Sequence, residues 1–283
     1  MMMFSAHTKR SKARLITTSL VGIVFSCTTL SALASFKQPG KIIAGSDMTF
    51  YPYEYMKDNK PAGFDIEYLD GLAKIMGLKA SNIDTRWANL IPGLRGGRFD
   101  LINSSMYITA PRLKVIDMIP YSKSGESILS LKGASYQPKT MQDFCGHTIG
   151  SMAGTAWLKQ MQNVSKSDCV KKGLKPIKIR MYPTDPQTTQ AMLSHAVEAQ
   201  ITDSAVAQGV VQRMGSRVTI SSDKLLDPVL HGFGVKKGND EVRKVLIEGI
   251  KKYSQSPEYA ALLKKYNMQD LSETDIKTMM PKD

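Results

Sequence analysis

The chain has 283 residues, 42% of them hydrophobic and 22% charged, with 21 Gly and 13 Pro. That composition suits one large or two moderate globular domains, and it excludes a collagen, a disordered tail and a multi-span membrane protein. The formal charge of +13 raises the question of a nucleic-acid partner, so the location of that charge is read first.

Residues 1–34 hold Lys9, Arg10, Lys12 and Arg14 and no acid, and an uncharged, mostly apolar stretch from Leu15 to Ala34 ends in Ala32-Leu33-Ala34. A basic start, an apolar core and a small-x-small site predict a secretory signal peptide, cleaved after Ala34. The stretch approaches the length of an uncleaved membrane anchor. The hydroxyls of Ser26, Thr28, Thr29 and Ser31 weigh against that reading, and Val24-Phe25-Ser26 is a poor lipoprotein signal before Cys27. Without residues 1–34 the chain keeps 34 basic against 25 acidic side chains, a net +9. These are dispersed in short pairs such as Lys171-Lys172 and Lys264-Lys265. No Arg-rich helix or aromatic-basic sheet motif is present, so no nucleic-acid partner is expected.

Lys41-Ile42-Ile43-Ala44-Gly45 predicts a buried strand. Ile66, Leu69, Leu72, Ala73 and Met76 recur at helical spacing behind Phe64, and Gly77 supplies a stop. A short helix is expected over Leu90 to Leu94, a strand over Phe99 to Ile102, and a helix capped by Thr109 with Pro111 and Arg112 in its first turn. The same grammar then recurs. His147 to Gly150 reads as a strand, Gly154-Thr155 leads into a helix through Met161, Asp185-Pro186 starts another, and Glu198 to Thr202 is a strand running into Asp203. Helices are expected over Asp240 to Tyr253 and from Ser256-Pro257 through Tyr266. Strand, helix, strand twice over predicts an α/β protein with two units and mostly parallel sheets. Export would place Cys145 and Cys169, the two cysteines of the mature chain, in an oxidising compartment, where they are expected to form a structural disulfide rather than a redox site.

Catalytic grammar is sparse. The chain has no Gly-x-Ser-x-Gly, no His-Glu-x-x-His and no Gly-x-x-x-x-Gly-Lys loop. Gly232-Phe233-Gly234 lacks the strand-turn-helix setting of a dinucleotide site, and His147, His195 and His231 have no metal-ligand spacing. No cofactor or metal is expected, and an exported two-unit α/β chain of this kind leans toward binding.

Several segments resemble the periplasmic amino-acid-binding proteins of ATP-driven importers, the family-3 solute-binding proteins. They are Gly45-Ser46-Asp47 through Tyr55; Gly63-Phe64-Asp65-Ile66; Trp87 to Leu94 with Gly97 and Asp100; and Ile108-Thr109 with Arg112. In the second half they are Cys145-Gly146, Gly150, Gly154-Thr155 and Thr202-Asp203. The order holds from about residue 41 to 266. The resemblance implies the type II periplasmic-binding-protein fold, with two lobes joined by two crossing strands and a ligand trapped as the hinge closes. Lobe 1 would be 41–128 plus 228–283 and lobe 2 would be 129–227, with crossings near Ile128 to Lys132 and Lys224 to Pro228. It also implies a monomer in the periplasm that serves the membrane permease of an ABC importer.

An amino-acid zwitterion needs a cationic fork and an anion in a dry cleft. By the resemblance Arg112 grips the α-carboxylate, with the N–H groups of Tyr107 and Thr155 as co-donors, and Asp203 takes the α-ammonium with help from the Ser105 carbonyl. Free N–H groups in the first turn around Arg112 would favour the anion as well. Phe50, Trp87 and Met152 would wall the side-chain pocket, and Asp47 joins the site without implying a basic ligand. Tyr107 departs from the family, which carries a small Thr or Ser there, so the pocket is expected to be crowded and apolar. The competing readings are an exported cyclohexadienyl dehydratase of the same fold, with Glu198 or Asp203 as its acid, and a periplasmic sensor or accessory subunit that has lost amino-acid binding.

Overall fold

The structure is a computed structural model that describes residues 1–3 and 36–282. The expected cleavage site and Cys27 lie outside the described residues. Among the described residues no helix is long and apolar enough to cross a membrane.

The buried run Ile42-Ile43-Ala44 builds β1 (Lys41–Ser46) as an interior strand. The aromatic segment after it folds as a small antiparallel sheet of β2 (Thr49–Phe50), β3 (Glu54–Lys57) and β4 (Lys60–Ala62). Helix α1 (Phe64–Ile75) buries Phe64, Ile66, Tyr68, Leu69, Leu72 and Ala73, the stripe expected from the 3.6-residue period. After it come β5 (Lys79–Asp84), α2 (Leu90–Arg95) and β6 (Leu101–Ile102). The strand expected from Phe99 starts two residues late because the Asp100 carboxylate itself accepts from the N–H groups of Lys37 and Ile43, both at 2.8 Å. The Thr109-capped helix is a single turn, α3 (Ala110–Leu113).

Next is β7 (Ile116–Leu131), sixteen residues long. Then follow β8 (Thr148–Met152), α4 (Ala156–Val164), β9 (Lys178–Tyr182), α5 (Asp185–Leu193), β10 (Ala199–Asp203), α6 (Ser204–Met214) and β11 (Val218–Ile220). The long β12 (Leu226–Lys236) leads to α7 (Asp240–Tyr253), α8 (Pro257–Tyr266) and α9 (Glu273–Met279). Helix α9 carries its own capping box, Ser272 with Asp275.

One sheet path runs β5-β1-β6-β12-β7-β10-β8-β9, with β11 beside β7. Its two ends are parallel, β5-β1-β6 and β10-β8-β9, while β12 and β7 pair antiparallel in the middle. Strand β7 pairs with β12 from Ile116 to Glu126, with a register shift after Ser124, and with β10 from Glu126 to Ser130, so it serves both halves. The hand-over falls at the register shift between Ser124 and Glu126. Gly125 sits at that hand-over, and a side chain there would stand 2.6 Å from the Leu226 carbonyl oxygen. The C-terminal helices α7 and α8 return to pack on α1 around Tyr68, Tyr253 and Tyr259. Cys145 and Cys169 are bonded, with their Cα atoms 5.4 Å apart, and tie the segment before β8 to the turn after α4.

Candidate functional site

Between the two halves of the sheet lies a cavity of about 10 Å³, room for roughly one water molecule. The first half contributes Phe50, Trp87, Ser105, Tyr107 and Arg112, and the second contributes Met152, Thr155 and Trp157. Seven residues singled out from sequence therefore converge here. Asp47 and Asp203 do not line the cavity, and Trp157, which does, was not foreseen.

Arg112 extends from α3 across this gap. Its Nη1 donates to the Tyr107 carbonyl at 2.8 Å and its Nη2 to the Gly154 carbonyl at 3.2 Å, while the guanidinium lies 5.2 Å from the Trp87 ring centre. No carboxylate among the described residues accompanies it: burial lowers its pKa to about 10, with Tyr107 as the other influence, and it stays charged at neutral pH. The N–H of Arg112 is capped by Thr109 Oγ1 at 3.4 Å, so the expected free first-turn donor is spent within the chain. Tyr107 forms a bridge with His231, flanked by Ile108 N–H to Leu230 and Gly232 N–H to Met106. That pattern turns its own N–H away from the ladder.

From the other half, Thr155 caps α4 by accepting from the Leu158 N–H at 3.3 Å, and it donates to the Met152 carbonyl at 2.9 Å. Gly154 adopts φ +75° against the Trp87 ring, a backbone conformation that favours glycine. Its carbonyl accepts from both Trp87 Nε1, at 3.2 Å, and Arg112, which makes it the seam between the halves. Phe50 stacks between Tyr53 and Trp157 with centroids 5.8 and 6.5 Å away, and Tyr107 meets Trp157 edge-on at 5.2 Å. The walls are aromatic, Trp157 among them.

The two aspartates are occupied elsewhere. Asp47 accepts from Thr49 Oγ1, Arg86 Nη1 and the Trp87 N–H at 2.8, 2.9 and 2.8 Å; it holds Trp87 in place. Asp203 is fully buried and accepts from Tyr53 OH at 3.0 Å, Tyr107 OH at 2.9 Å and the Ala205 N–H at 2.9 Å. The buried His231 Nε2 stands 3.4 Å from its second oxygen. Burial alone would raise the Asp203 pKa, but His231 and the hydroxyls of Ser124 and Tyr107 outweigh it and hold the carboxyl below its usual range. Glu198, the other acid considered, is half exposed and bonded to His147 Nδ1 and the Thr148 N–H at 2.9 and 2.6 Å.

Behind the cavity, Asp65 accepts from the N–H and hydroxyl of Ser105 at 2.6 and 3.0 Å. This fixes Ser105 at φ +39°. Glu126 is wholly buried, and burial first, then the charges of Asp227 and Asp203, push its pKa up to about 9. It is therefore neutral in the folded protein below that pH, but ionises near the ordinary carboxylate pKa, roughly 4.3, when the chain unfolds. Unfolding releases a proton between those values, so this group's contribution to stability falls as pH rises through the window. Glu126→Gln is expected to gain on the wild type from pH 5 to pH 9, by at least about 3 °C in melting temperature, roughly 1 kcal/mol. Melting curves at both pH values check this, and a gap that does not widen refutes a neutral Glu126.

The family model for bacterial extracellular solute-binding proteins, family 3, matches residues 42–269. The chain belongs to that family. The L-cystine-binding protein TcyJ of Escherichia coli K12 is 26% identical over 246 residues, covering 85% of this chain and 88% of that protein. Among solved structures, the arginine-, lysine-, histidine-binding protein ArtJ of Geobacillus stearothermophilus superposes with a TM-score of 0.74 at 26% identity, covering 84% of this chain and all of that one, 100%. The ancestral amino acid-binding protein AncCDT-1, a precursor of cyclohexadienyl dehydratase, gives 0.69 at 26% identity over 84% of this chain and 99% of that one. This solute-binding protein thus has the two-lobed α/β fold of its family, with the cavity at the junction of its halves.

Proposed function

We propose that the chain captures an amino acid or a close derivative in the periplasm and hands it to the membrane permease of an ABC importer. The observation that carries this reading is the Arg112 guanidinium, half-buried at an aromatic cavity with no carboxylate beside it among the described residues. A half-buried cation lacking a counter-charge loses part of its hydration, and a ligand carboxylate would offset that loss with two parallel bonds. The lobes in this reading meet at Ser124–Glu126 on β7 and near Leu226 at the start of β12. Arg112 and Trp87 come from one lobe and Gly154 and Thr155 from the other, so one ligand touching both would favour closure.

The names of relatives point to cystine, arginine, lysine and histidine. A cationic side chain finds little support in this cavity, because Asp47 and Asp203 are saturated by groups of the protein itself. An apolar or neutral ligand body agrees better with Phe50, Met152 and the tryptophans. An enzymatic role would need an acid over the substrate, and neither Glu198 nor Asp203 lines the cavity.

Both tryptophans of the chain, Trp87 and Trp157, line the cavity. Titrating refolded, ligand-free protein with the common amino acids and their derivatives is expected to change the intrinsic fluorescence for a small subset of them. The same compounds should raise the melting temperature by mass action. Silence in both readouts across the whole set would refute the proposal.

A further inference from the structure

The cavity beside Arg112 has several donors and no available anion. Asp203 is the carboxylate nearest in the fold to Tyr107, and its acceptor positions are taken by Tyr53, Tyr107 and the N–H groups of Ala205 and Val206. Asp47 is spent on Thr49, Arg86 and Trp87. Glu126 is neutral and contacted by the Gln160 amide at 2.7 Å. An ammonium brought into this space would lose its hydration with no charge to replace it. On the other side of the ledger, the Trp157 indole N–H is buried without a hydrogen-bond partner, and an unsatisfied buried donor calls for an acceptor.

We propose that Tyr107 is a specificity-determining residue whose hydroxyl holds Asp203 away from the ligand, so that the preferred ligand is a carboxylate with no free ammonium, a des-amino or N-acylated acid with an apolar body. This rests on reading Arg112 as the carboxylate partner. The Tyr107 hydroxyl lies 2.9 Å from Asp203 Oδ2 and also 2.9 Å from the Gly125 carbonyl at the strand hand-over. It therefore ties a lobe-1 side chain to the other lobe's strand end and to the crossing at once. For an ammonium to pair with Asp203 it must displace this hydroxyl, which in turn must find another partner. A carboxylate lacking the ammonium makes no such demand, and an N-acyl oxygen would suit the indole N–H of Trp157.

The test is calorimetry on refolded, ligand-free protein with matched sets: leucine, 4-methylpentanoate and N-acetylleucine, and phenylalanine, 3-phenylpropanoate and N-acetylphenylalanine. In the wild type, at least one ammonium-free member of a set that binds is expected to equal or exceed its parent amino acid. In Tyr107→Phe the balance should move at least fivefold toward the amino acid. Tyr53→Phe, which leaves the Tyr107 bond in place, should shift it less. Parent amino acids more than threefold tighter in every set that binds, or a shift below fivefold in Tyr107→Phe, would overturn the proposal. Should Tyr107→Phe fail to fold, Tyr107→Thr is read by the same thresholds. Lack of binding by all six compounds overturns it also. The carboxylate reading fails separately if Arg112→Ala keeps the wild-type affinity for whichever member binds.

Discussion

Arg112→Ala is expected to weaken the best ligand by at least 100-fold, roughly 3 kcal/mol, while leaving the unliganded protein as stable as before. Truncating one partner of a buried, hydrogen-bonded charge pair costs about 2–5 kcal/mol in binding. In the unliganded state the same side chain has only carbonyls for partners, those of Tyr107 and Gly154. Removing a half-buried cation that has no counter-charge relieves as much as it disrupts. Arg112→Lys keeps the charge but loses the planar fork, and should fall between the two. Titration calorimetry and a thermal melt on each variant separate the binding effect from the folding one. A variant that loses affinity and melting temperature together would point to a structural arginine instead.

The second large effect concerns stability. Reducing the Cys145–Cys169 bond, or replacing both residues by Ala, is expected to cost about 3 kcal/mol on the chain-entropy model. The bond closes a loop with a sequence separation of 24 that contains β8 and α4, the elements that present Met152, Thr155 and Trp157. Cys169 is itself fully buried in the main core, so the double variant should lose some packing besides the cross-link. The expected drop in melting temperature is about 6–12 °C. Ligand affinity should change much less, because none of the cavity-lining residues is a cysteine. A melting temperature unchanged by the double substitution would contradict this.

Legibility in the sequence followed local signals. Helix α1 could be read from Ile66, Leu69 and Leu72, and α8 from Ser256-Pro257, because period and caps are written in neighbouring residues. The long strands β7 and β12 could not. In β7, Lys123, Ser124 and Gly125 interrupt any alternation because the strand changes partners there, and its buried face changes with them. Asp100 read as strand, yet its side chain replaces part of the ladder it was expected to join.

The site shows the same division. Arg112, Thr155, Phe50 and Trp87 could be placed through the family's order of motifs. The saturation of Asp203 could not, because Tyr53 and His231 lie far from it in sequence and meet it only in the folded core. Trp157 stands in the first turn of α4, where a large apolar residue reads as core. Its unsatisfied N–H is visible only once the neighbouring rings are in position.

The central claim is that Arg112 waits for a ligand carboxylate. It is tested most directly by titrating the ligand-free wild-type protein with its best ligand and with the α-carboxamide of that same ligand. The carboxamide keeps the body of the molecule and removes only the charge that Arg112 would meet. The account predicts an affinity at least 100-fold weaker for the carboxamide; equal affinities would contradict it.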